Sequence, residues 1–505
     1  MKNIMFQGTA SGVGKSLITA GFCRIFSDDG YSPAPFKSQN MALNSFITAE
    51  GKEMGRAQVV QAEAARKEPD VRMNPILLKP TTDRKSQVIL LGKVRENVDA
   101  VTYHREKAKY REIVKETYEE LARENDIIVI EGAGSPAEIN LRENDFVNMG
   151  MAQLADSPVV LIGDIDRGGV FASLYGTIML LTEEERKYVK GVLINKFRGD
   201  VDILRSGIHM LEDLIGVPVL GIIPHIDIDI EEEDSLTERF RKKASAGKSL
   251  EIKVVRLPHI SNFTDFDIFD IYEDVRLEYI TAPEEVQGSD LILLPGTKNT
   301  IEDLIFLRES GIEKAIIREH KRGVPVIGIC GGYQMLGNRI CDPQGIECGI
   351  EEIAGMALLD LETVFDEEKV TTQVKGTLEF DRKEGVFSGM KGLPVSGYEI
   401  HCGRSAGESG ALHITEKLGE EVSYTEGSLN EKGTVMGTYL HGIFDSPHFT
   451  EKLLNNLRRR KGLAESVQEV ADYEKYKDTQ YDKLAEHLRK YVDVDKIYEI
   501  IRAGV

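Results

Sequence analysis

The sequence predicts an α/β protein of two domains, each a mainly parallel sheet between two layers of helices. Short apolar runs rich in β-branched residues alternate with longer amphipathic segments, which is the pattern of β-α-β units. The chain has 505 residues, more than a single hydrophobic core normally serves. The alternation also stops near residues 231–248 and then begins again, so we expect the domains to divide there.

The first half contains five apolar runs that we predict to be buried strands: Asn3–Gln7, Asp126–Ile130, Pro158–Ile162, Gly191–Ile194 and Val217–Ile222. Tyr103–Glu124 is a long amphipathic segment between them and is predicted to be helical. Glu231–Lys248 joins an acidic stretch to a basic one that contains small residues, and we predict a linker there.

The second half repeats the pattern, with predicted strands at Glu251–Leu257, Leu291–Leu294, Pro325–Ile329 and Thr434–Leu440. Residues after about Phe449 are charged and have a helical period. We therefore predict a first domain over residues 1–240, a second over 251–448 and a C-terminal helical extension over 449–505.

Composition restricts the classes of function. Hydrophobic residues make up 41% and charged residues 29%, no apolar run is long enough to span a bilayer, and no signal-peptide pattern is present, which predicts a cytoplasmic protein. A net charge of -21 argues against nucleic acid as the main partner. The five cysteines form no C-x-x-C pair, so neither a disulfide framework nor a zinc knuckle is indicated. The oligomeric state stays open.

A glycine-rich loop follows the first predicted strand. Gly8–Ser16 reads Gly-Thr-Ala-Ser-Gly-Val-Gly-Lys-Ser and leads into a predicted helix over Lys15–Phe26. Backbone N–H groups of such a loop and the positive end of the helix bind phosphate. Lys15 is predicted to contact the β- and γ-phosphates of ATP, and Ser16 to bind Mg²⁺. The predicted nucleotide-binding residues of the loop are Thr9, Ser11, Gly12, Val13, Gly14, Lys15 and Ser16. A turn without a ligand is the alternative.

Acidic and amide side chains follow the neighbouring predicted strands. Glu131 and Asp164 stand where two strands end, on the side of the sheet where ligands bind, so with Ser16 they are predicted to hold Mg²⁺ or its waters. Arg167 could neutralise charge during phosphoryl transfer, and Asn195 could contact the adenine base. Plain strand-terminal turns are the alternative for these residues.

A cysteine elbow occurs in the second half. Cys330, within Gly328–Gly332, lies between a predicted strand (Val324–Ile329) and a predicted helix (Tyr333–Ile340), an arrangement that lifts a thiol clear of the sheet and lowers the pKa of the thiol. We predict Cys330 as a nucleophile for a carbonyl carbon and His441 as its base.

Backbone N–H groups complete this predicted site. Those near Gly331 and Gly296 are expected to form an oxyanion hole. His401 is a competing base, or else lies near the substrate or is structural. A buried structural cysteine at position 330 is the alternative to a nucleophile.

These motifs resemble those of two known enzyme families. The G-T-x-S-x-x-G-K-S loop and Glu131-Gly-Ala-Gly resemble dethiobiotin synthetase, which phosphorylates a carboxylate, whereas the partitioning and membrane-switch ATPases carry an early lysine that residues 9–13 lack. The cysteine elbow with a late histidine resembles class I glutamine amidotransferases. These resemblances imply a P-loop NTPase-like first domain and an amidotransferase-like second domain. Many such amidotransferases have a glutamate two residues after the histidine; Ile443 stands there, so a third catalytic member is missing or comes from elsewhere.

Nearly the whole chain is similar to the cobyric acid synthases, amidases of the cobalamin pathway. The similarity is carried by residues 36–45, 55–58, 61–64, 73–80, 164–169, 195–200 and Gly397–Gly403. It implies ATP- and glutamine-dependent amidation of the b, d, e and g carboxylates of adenosylcobyrinic acid a,c-diamide through acyl phosphates, with ammonia released at Cys330.

The same segments contain polar and basic residues suited to the carboxylate and amide arms of a corrinoid: Lys37, Gln39, Asn40, Asn44, Arg56, Gln58 and Lys79. Each is otherwise an ordinary surface or capping residue. The related diamide synthases are a second hypothesis, disfavoured because Gln39–Met41 replaces their expected Gly-Pro-Asp-Tyr segment. A cell-wall amidotransferase pair would require a peptide-ligase-like domain, and none is evident. A non-catalytic nucleotide-binding module is a third hypothesis.

Overall fold

A computed structural model of the chain describes residues 2–82, 85–230, 249–407, 410–466 and 473–505. The described residues form two compact units. The first contains residues 2–42, 53–230 and Glu474–Val505, and the second contains Leu43–Lys52 and residues 249–466, with Tyr473. The predicted linker, Glu231–Lys248, lies outside the described residues. The predicted α/β fold class is confirmed in both units.

Twelve strands lie within residues 2–230: β1 (Lys2–Gly8), β2 (Pro33–Phe36), β3 (Gln39–Met41), β4 (Ser45–Ile47), β5 (Glu53–Gly55), β6 (Ile76–Thr82), β7 (Lys85–Leu90), β8 (Lys93–Asp99), β9 (Ile127–Glu131), β10 (Val159–Asp164), β11 (Val189–Phe197) and β12 (Val219–Pro224). Thirteen lie within residues 249–466: β13 (Leu250–Val255), β14 (Val275–Ile280), β15 (Leu291–Leu294), β16 (Val326–Ile329), β17 (Arg339–Cys341), β18 (Glu352–Ala354), β19 (Leu361–Leu378), β20 (Pro394–Gly407), β21 (Leu412–Lys417), β22 (Glu420–Glu426), β23 (Ser428–Leu429), β24 (Val435–Thr438) and β25 (Leu440–His441).

The α-helices of the described residues are α1 (Lys15–Asp28), α2 (Arg56–Ala64), α3 (Ala100–Glu106), α4 (Ala108–Arg123), α5 (Met149–Ala155), α6 (Val170–Leu180), α7 (Glu183–Arg186), α8 (Val201–Ile215), α9 (Thr300–Glu309), α10 (Ile312–Lys321), α11 (Gly331–Leu336), α12 (Pro447–Lys461), α13 (Tyr473–Tyr491) and α14 (Val494–Ala503). Short 3-10 helices cover Val71–Met73, Ile139–Leu141, Phe263–Ile271, Pro283–Val286 and Ile443–Asp445. Among the described helices, none combines the length and the apolar character needed to cross a membrane.

The first unit is built on a six-stranded sheet in the order β12-β11-β10-β1-β9-β2, in which every neighbouring pair is parallel. All five strands predicted in this half are present in it. Because the strands are parallel, Gly8, Glu131 and Asp164 end β1, β9 and β10 at the same edge. A smaller sheet, β3-β6-β7-β8, adds two hairpins.

The predicted helix Tyr103–Glu124 is divided into α3 and α4. The break lies at Lys107, whose side chain is buried with its ammonium 4.7 Å from the centre of the Phe146 ring. Burial lowers the pKa of Lys107, and the negative charge of Asp145 offsets this lowering only in part. Lys107 itself has helical backbone angles, so α3 and α4 follow each other with only this residue between them.

The second unit contains a sheet in the order β14-β13-β15-β16-β24-β23, parallel except for the last pair. A second sheet, mainly antiparallel, is built around the long strands β19 and β20. The predicted strand Thr434–Leu440 is divided between them, since β24 joins the first sheet and β25 pairs with β20. The predicted helix Tyr333–Ile340 is shorter than expected, because α11 ends at Leu336 and β17 begins at Arg339.

The predicted C-terminal extension over 449–505 is not one piece. Helix α12 belongs to the second unit, whereas Glu474–Val505 belongs to the first. Leu484, Leu488 and Val492 join the apolar core that α1 and β1 form. The fully buried Arg24 of α1 also pairs with Asp478 and Asp482, at 2.7 and 2.5 Å. These contacts make the C-terminal helices part of the first unit's core.

We expect Leu488→Ala to lower the free energy of unfolding of the first unit by about 2–5 kcal/mol. Leu488 is fully buried, and its Cδ1 lies only 2.3 Å from where a Cβ on Gly21 would stand, so truncation leaves a cavity against α1. Urea denaturation measures the change, with the exposed Leu214→Ala as a matched control. Equal stability of the two variants would show that the C-terminal helices contribute little to this core.

Candidate active sites

The phosphate loop joins β1 to α1 in the first unit, as predicted. The Lys15 ammonium donates to the carbonyl oxygens of Ala10 and Gly134, at 2.9 and 3.2 Å, and so lies across the loop. Asn195 donates to the carbonyl of Val13 at 2.9 Å, and Lys196 donates to that of Gly12 at 2.7 Å. The loop's backbone is therefore held from β11.

Asn195 also explains one glycine. Gly14 has a φ of 94°, and a Cβ added there would come 2.3 Å from the Asn195 amide nitrogen. Only glycine fits this position without strain. In this structure the Asn195 side chain is hydrogen-bonded to the backbone of the phosphate loop. Its contact with the adenine base stays a prediction.

Glu131, at the end of β9, is the centre of a buried polar cluster. Its Oε1 accepts hydrogen bonds from Ser16 at 2.7 Å and from the Lys37 ammonium at 2.9 Å, and its Oε2 accepts from Gln61 at 2.6 Å. Burial alone would raise the pKa of Glu131, but the charge of Lys37 and these hydrogen bonds hold it below its usual value. Glu131 is therefore a carboxylate beside the phosphate loop.

The residues at this point fit Mg²⁺. Ser16 and Glu131 bring a hydroxyl and a carboxylate oxygen within 2.7 Å of each other, and both are hard donors of the kind this ion prefers. Asp164, the third residue predicted to hold Mg²⁺, has other partners than Ser16 and Glu131. Its carboxylate lies 3.4 Å from the Lys196 ammonium and accepts a hydrogen bond from the backbone of Asp166. Within the described residues, no group of three or more His, Cys, Asp or Glu side chains is arranged to hold a metal. A Mg²⁺ bound here would hence rely on phosphate and water for its other ligands.

The first unit contains a cavity of about 380 Å³. Its wall includes Gln39, Met41, Tyr103, Gly134, Ser135 and Asn148. Gly134 is also the residue whose carbonyl binds Lys15. Tyr103 donates to the Gln39 side chain at 2.7 Å. The cavity is therefore linked to Lys15, the residue predicted to contact the γ-phosphate, through Gly134.

The seven predicted corrinoid residues are placed differently from one another. Gln39 lines the cavity. Asn40 and Gln58 are buried and hydrogen-bond each other at 2.9 Å, and the ammonium of the buried Lys79 lies 2.9 Å from Glu53. Lys37 binds Glu131, as described above. Arg56 is half-buried at the start of α2, and Asn44 lies in the second unit.

Cys330 lies at the sharp turn between β16 and α11 in the second unit. Its φ of 52° is unusual for a residue other than glycine and marks a strained elbow. A Cβ on Gly332 would come 2.2 Å from the carbonyl oxygen of Leu294, so the turn requires glycine there. The thiol lies 3.6 Å from the carbonyl oxygen of Ile400.

His441 lies beside this elbow and has a buried partner. Its Nδ1 is 2.7 Å from the Asp265 carboxylate, which also accepts from the backbone of Gly442 at 3.0 Å. Burial lowers the pKa of His441, but the charge of Asp265 and the adjacent Cys330 outweigh this effect and raise it to about 10. Asp265 thus occupies the place of the third member that the sequence did not reveal.

Asp265 was beyond the reach of sequence reasoning because it is 176 residues from His441 and lies in a 3-10 helix, Phe263–Ile271. Its segment has aromatic residues at every third position, Phe263, Phe266 and Phe269, which is the period of a 3-10 helix. That period indicates the local structure but does not point to His441.

The residues predicted to form the oxyanion hole lie close to the cysteine elbow and to His441. A Cβ on Gly296 would lie 3.0 Å from His441 Cε1, and one on Gly331 would lie 3.1 Å from the backbone nitrogen of Thr297. The loop after β15 and the start of α11 thus both border the Cys330–His441 pair. The competing histidine, His401, stacks on Tyr439 with ring centres 3.7 Å apart and lies near Glu399.

A second polar cluster beside Cys330 was also missed. The hydroxyl of Thr300, at the start of α9, lies 3.1 Å from a side-chain oxygen of Gln334 and 3.1 Å from one of Glu347, and can donate its one hydrogen to either. Glu347 also accepts the backbone N–H of Thr300 at 2.7 Å, and burial of its carboxylate raises the pKa to about 7. Gln334 lies four residues after the cysteine on α11, a helical spacing that could have indicated it.

Two family descriptions match the chain. Residues 4–236 match the CobQ/CobB/MinD/ParA nucleotide binding domain, and residues 251–449 match the CobB/CobQ-like glutamine amidotransferase domain. A cobyric acid synthase of Photorhabdus laumondii is 55% identical over 99% of this chain and 98% of its own length. One from Alkaliphilus metalliredigens is 55% identical over 98% of this chain and 99% of its own length, and one from Salmonella heidelberg is 53% identical over 99% and 98%.

A nucleotide-binding domain joined to a glutamine amidotransferase domain defines an ATP-dependent, glutamine-hydrolysing amide synthetase, and this chain is an enzyme of that class. Its identity to the curated relatives extends over nearly the full length of both partners. The chain belongs to the cobyric acid synthase family.

Proposed function

We propose that this enzyme converts the b, d, e and g carboxylates of adenosylcobyrinic acid a,c-diamide to amides during cobalamin biosynthesis, in the cytoplasm. The observation that carries the proposal is the cavity beside Lys15: an acceptor carboxylate bound there would meet the γ-phosphate of ATP held by the loop. For each amide formed, one ATP, one glutamine and one water are consumed, and ADP, phosphate and glutamate are released.

In the first unit the acceptor carboxylate would attack the γ-phosphorus of ATP, so that an acyl phosphate and ADP form. Lys15 would neutralise charge on the phosphoryl oxygens, and the loop's N–H groups would bind the β-phosphate. Ser16 and Glu131 would hold Mg²⁺, which when bound screens phosphate charge. Ammonia then attacks the acyl carbon, phosphate leaves, and the amide remains.

In the second unit the Cys330 thiolate would attack the carboxamide carbon of glutamine. His441, held by Asp265, would protonate the departing nitrogen, so that ammonia leaves and a glutamyl thioester forms. His441 would next take a proton from water, which attacks the thioester and releases glutamate and the thiol. N–H groups near Gly296 and Gly331 would stabilise the oxyanion of both steps.

Mass spectrometry of the corrinoid diamide after incubation with enzyme, ATP, Mg²⁺ and glutamine tests this proposal. We expect four successive conversions of a carboxylate to an amide, each dependent on ATP. An unchanged corrinoid, with glutamine still hydrolysed, would direct the search to another acid as acceptor.

We expect Asp265→Asn to lower kcat for glutamine hydrolysis by about 10²–10⁴-fold, because the imidazole loses the group that orients it and stabilises its protonated form. With Asp265, the pKa of His441 is raised to about 10, so the proton needed by the leaving ammonia is kept up to that pH. Without the charge the pKa falls, so the alkaline limb of the pH–rate profile should move to lower pH. The exposed Asp360→Asn is the control. An unmoved alkaline limb would contradict this role.

We expect Glu347→Gln to raise KM for glutamine by about 10- to 100-fold. The Glu347 carboxylate, which is hydrogen-bonded to Thr300 near the cysteine elbow, would pair with the α-ammonium of glutamine. Steady-state kinetics of glutamate release measure the change, and ammonia-dependent amidation should be unaffected. A lowered kcat at unchanged KM would indicate that Glu347 serves the chemistry rather than binding.

A further inference from the structure

A segment of the N-terminal half belongs to the second unit. Leu43–Lys52 follows β3 and precedes β5, both of which are strands of the first unit, yet its contacts assign it to the second. Thr371 and Gln373 of β19 donate to the carbonyls of Gly51 and Ile47, at 3.0 and 2.7 Å. The chain therefore leaves one unit for ten residues and returns to it.

Ser45 is held at both of its backbone polar groups. Its N–H donates to the Asn262 side chain at 3.0 Å, and its carbonyl accepts from the Tyr398 hydroxyl at 3.1 Å. All three residues are buried. The Phe46 ring meets the Tyr398 ring edge-on, with centres 5.3 Å apart. We call this arrangement the Ser45 clasp.

Both clasp side chains come from elements that hold His441. Tyr398 pairs with His441 between β20 and β25, and its ring stacks on the imidazole with centres 5.3 Å apart and planes 16° from parallel. Asn262 immediately precedes the 3-10 helix that carries Asp265, the partner of His441 Nδ1. A displacement of Ser45 would therefore disturb two supports of the same imidazole.

The clasp is also connected to the acceptor cavity through the chain. Gln39 and Met41 of β3 line that cavity, and Ser45 is only four residues beyond Met41. Met41 is 59% exposed, so an acceptor in the cavity can contact it. A ligand that fixes β3 would restrict the position of Ser45, because Ser45 is only four residues beyond Met41 and the chain between them can extend only a limited distance.

We propose that Leu43–Lys52 is a positioning segment that couples glutamine hydrolysis to acceptor binding, through the effect of the Ser45 clasp on His441. This inference rests on the proposed function, since it takes the cavity as the acceptor site. An acceptor that favours the clasped state raises the fraction of enzyme with a correctly oriented imidazole. Couplings of this kind change rates or affinities by about 5- to 150-fold.

Matched variants at Asn262 test the clasp without altering the active-site side chains. Asn262 has a φ of 51°, which glycine and aspartate both tolerate. Asn262→Gly removes the acceptor of the Ser45 N–H, whereas Asn262→Asp keeps an acceptor oxygen. A second pair is Tyr398→Phe, which keeps the ring stack but loses the hydroxyl, and Tyr424→Phe, which loses a hydrogen bond to Glu399 in the same sheet.

Glutamate release is measured with glutamine alone and again with ATP, Mg²⁺ and adenosylcobyrinic acid a,c-diamide added. We expect these additions to stimulate kcat of the unaltered enzyme at least about 5-fold. Asn262→Gly and Tyr398→Phe should lose most of this stimulation, with KM for glutamine and ammonia-dependent amidation unchanged. Asn262→Asp and Tyr424→Phe should keep it.

Stimulation that persists in Asn262→Gly and Tyr398→Phe would overturn the inference, as would an unaltered enzyme whose glutamine hydrolysis ignores the acceptor. Loss of ammonia-dependent amidation in Asn262→Gly and Tyr398→Phe together would also overturn it, because the effect would then be general. Failure of the proposed function itself has a different signature: the unaltered enzyme would not amidate the corrinoid with ammonia or with glutamine.

Discussion

Cys330→Ala is expected to abolish glutamine-dependent amidation while amidation from added ammonia continues. The Cys330 thiol is the only group proposed to form a covalent bond with glutamine. Removal of a covalent nucleophile lowers turnover by about 10⁴-fold or more. The first unit, with its own phosphate loop and cavity, needs only free ammonia as the nucleophile. Amide formation from each nitrogen source, followed by mass spectrometry, gives both rates in one experiment.

Cys341→Ala is the matched control, because Cys341 is a half-buried cysteine of the same unit on β17. It should use both nitrogen sources normally. If Cys330→Ala lost ammonia-dependent amidation as well, with its fold intact, the division of work between the units would be wrong. Normal glutamine use by Cys330→Ala would remove the nucleophile assignment.

Lys15→Ala is expected to stop amidation from both nitrogen sources, with a fall of at least about 10²–10³-fold. The Lys15 ammonium is the cation that lies across the loop between Ala10 and Gly134, next to the acceptor cavity. Without it, charge that develops on the transferred phosphoryl group is not neutralised. Basal glutamine hydrolysis should be retained, because every residue proposed for that reaction lies in the second unit.

ADP release in the presence of the corrinoid measures the loss directly. Lys187→Ala, which removes an exposed lysine of the same unit, should leave it unchanged. An ADP rate in Lys15→Ala within a few-fold of normal would refute the role of the loop in phosphoryl transfer.

Local patterns in the sequence were sufficient for the parallel sheets and for the two turns at which chemistry is expected. Strands such as β9 and β10 are nearly continuous apolar runs, because a parallel strand is buried on both faces. The loop before Lys15 and the elbow at Cys330 are marked by glycines where no side chain fits. Such signals depend on a few neighbouring residues and can be read without the fold.

The mainly antiparallel sheet of the second unit left a weaker signal. Its long strand β19 alternates buried and exposed residues, and the exposed ones are largely charged, so no apolar run marks it. The division of residues 449–505 depends on contacts such as those of Arg24 with Asp478 and of Gly21 with Leu488, which join residues more than 450 positions apart. No local pattern carries contacts of that separation.

Pairings between distant residues also decide the sites. Lys37, a basic residue in a polar segment, is predicted to bind substrate, and in the structure its ammonium pairs with Glu131, a contact that its place in the sequence does not reveal. Asp265 gained its place beside His441 only through the packing of a 3-10 helix. The sequence indicates which residue types are available, and the fold decides which of them face one another.

The fate of the glutamine amide nitrogen shows whether one unit supplies the nitrogen that the other unit's activated acid accepts. The enzyme is given ATP, Mg²⁺, the corrinoid diamide and glutamine labelled with ¹⁵N in its amide group, and the product is weighed by mass spectrometry. We predict ¹⁵N in each new amide, with one ADP released per amide. An amidated product without the label would show that the nitrogen does not come from glutamine. Labelled product formed without ATP would show that the acid is not activated by ATP.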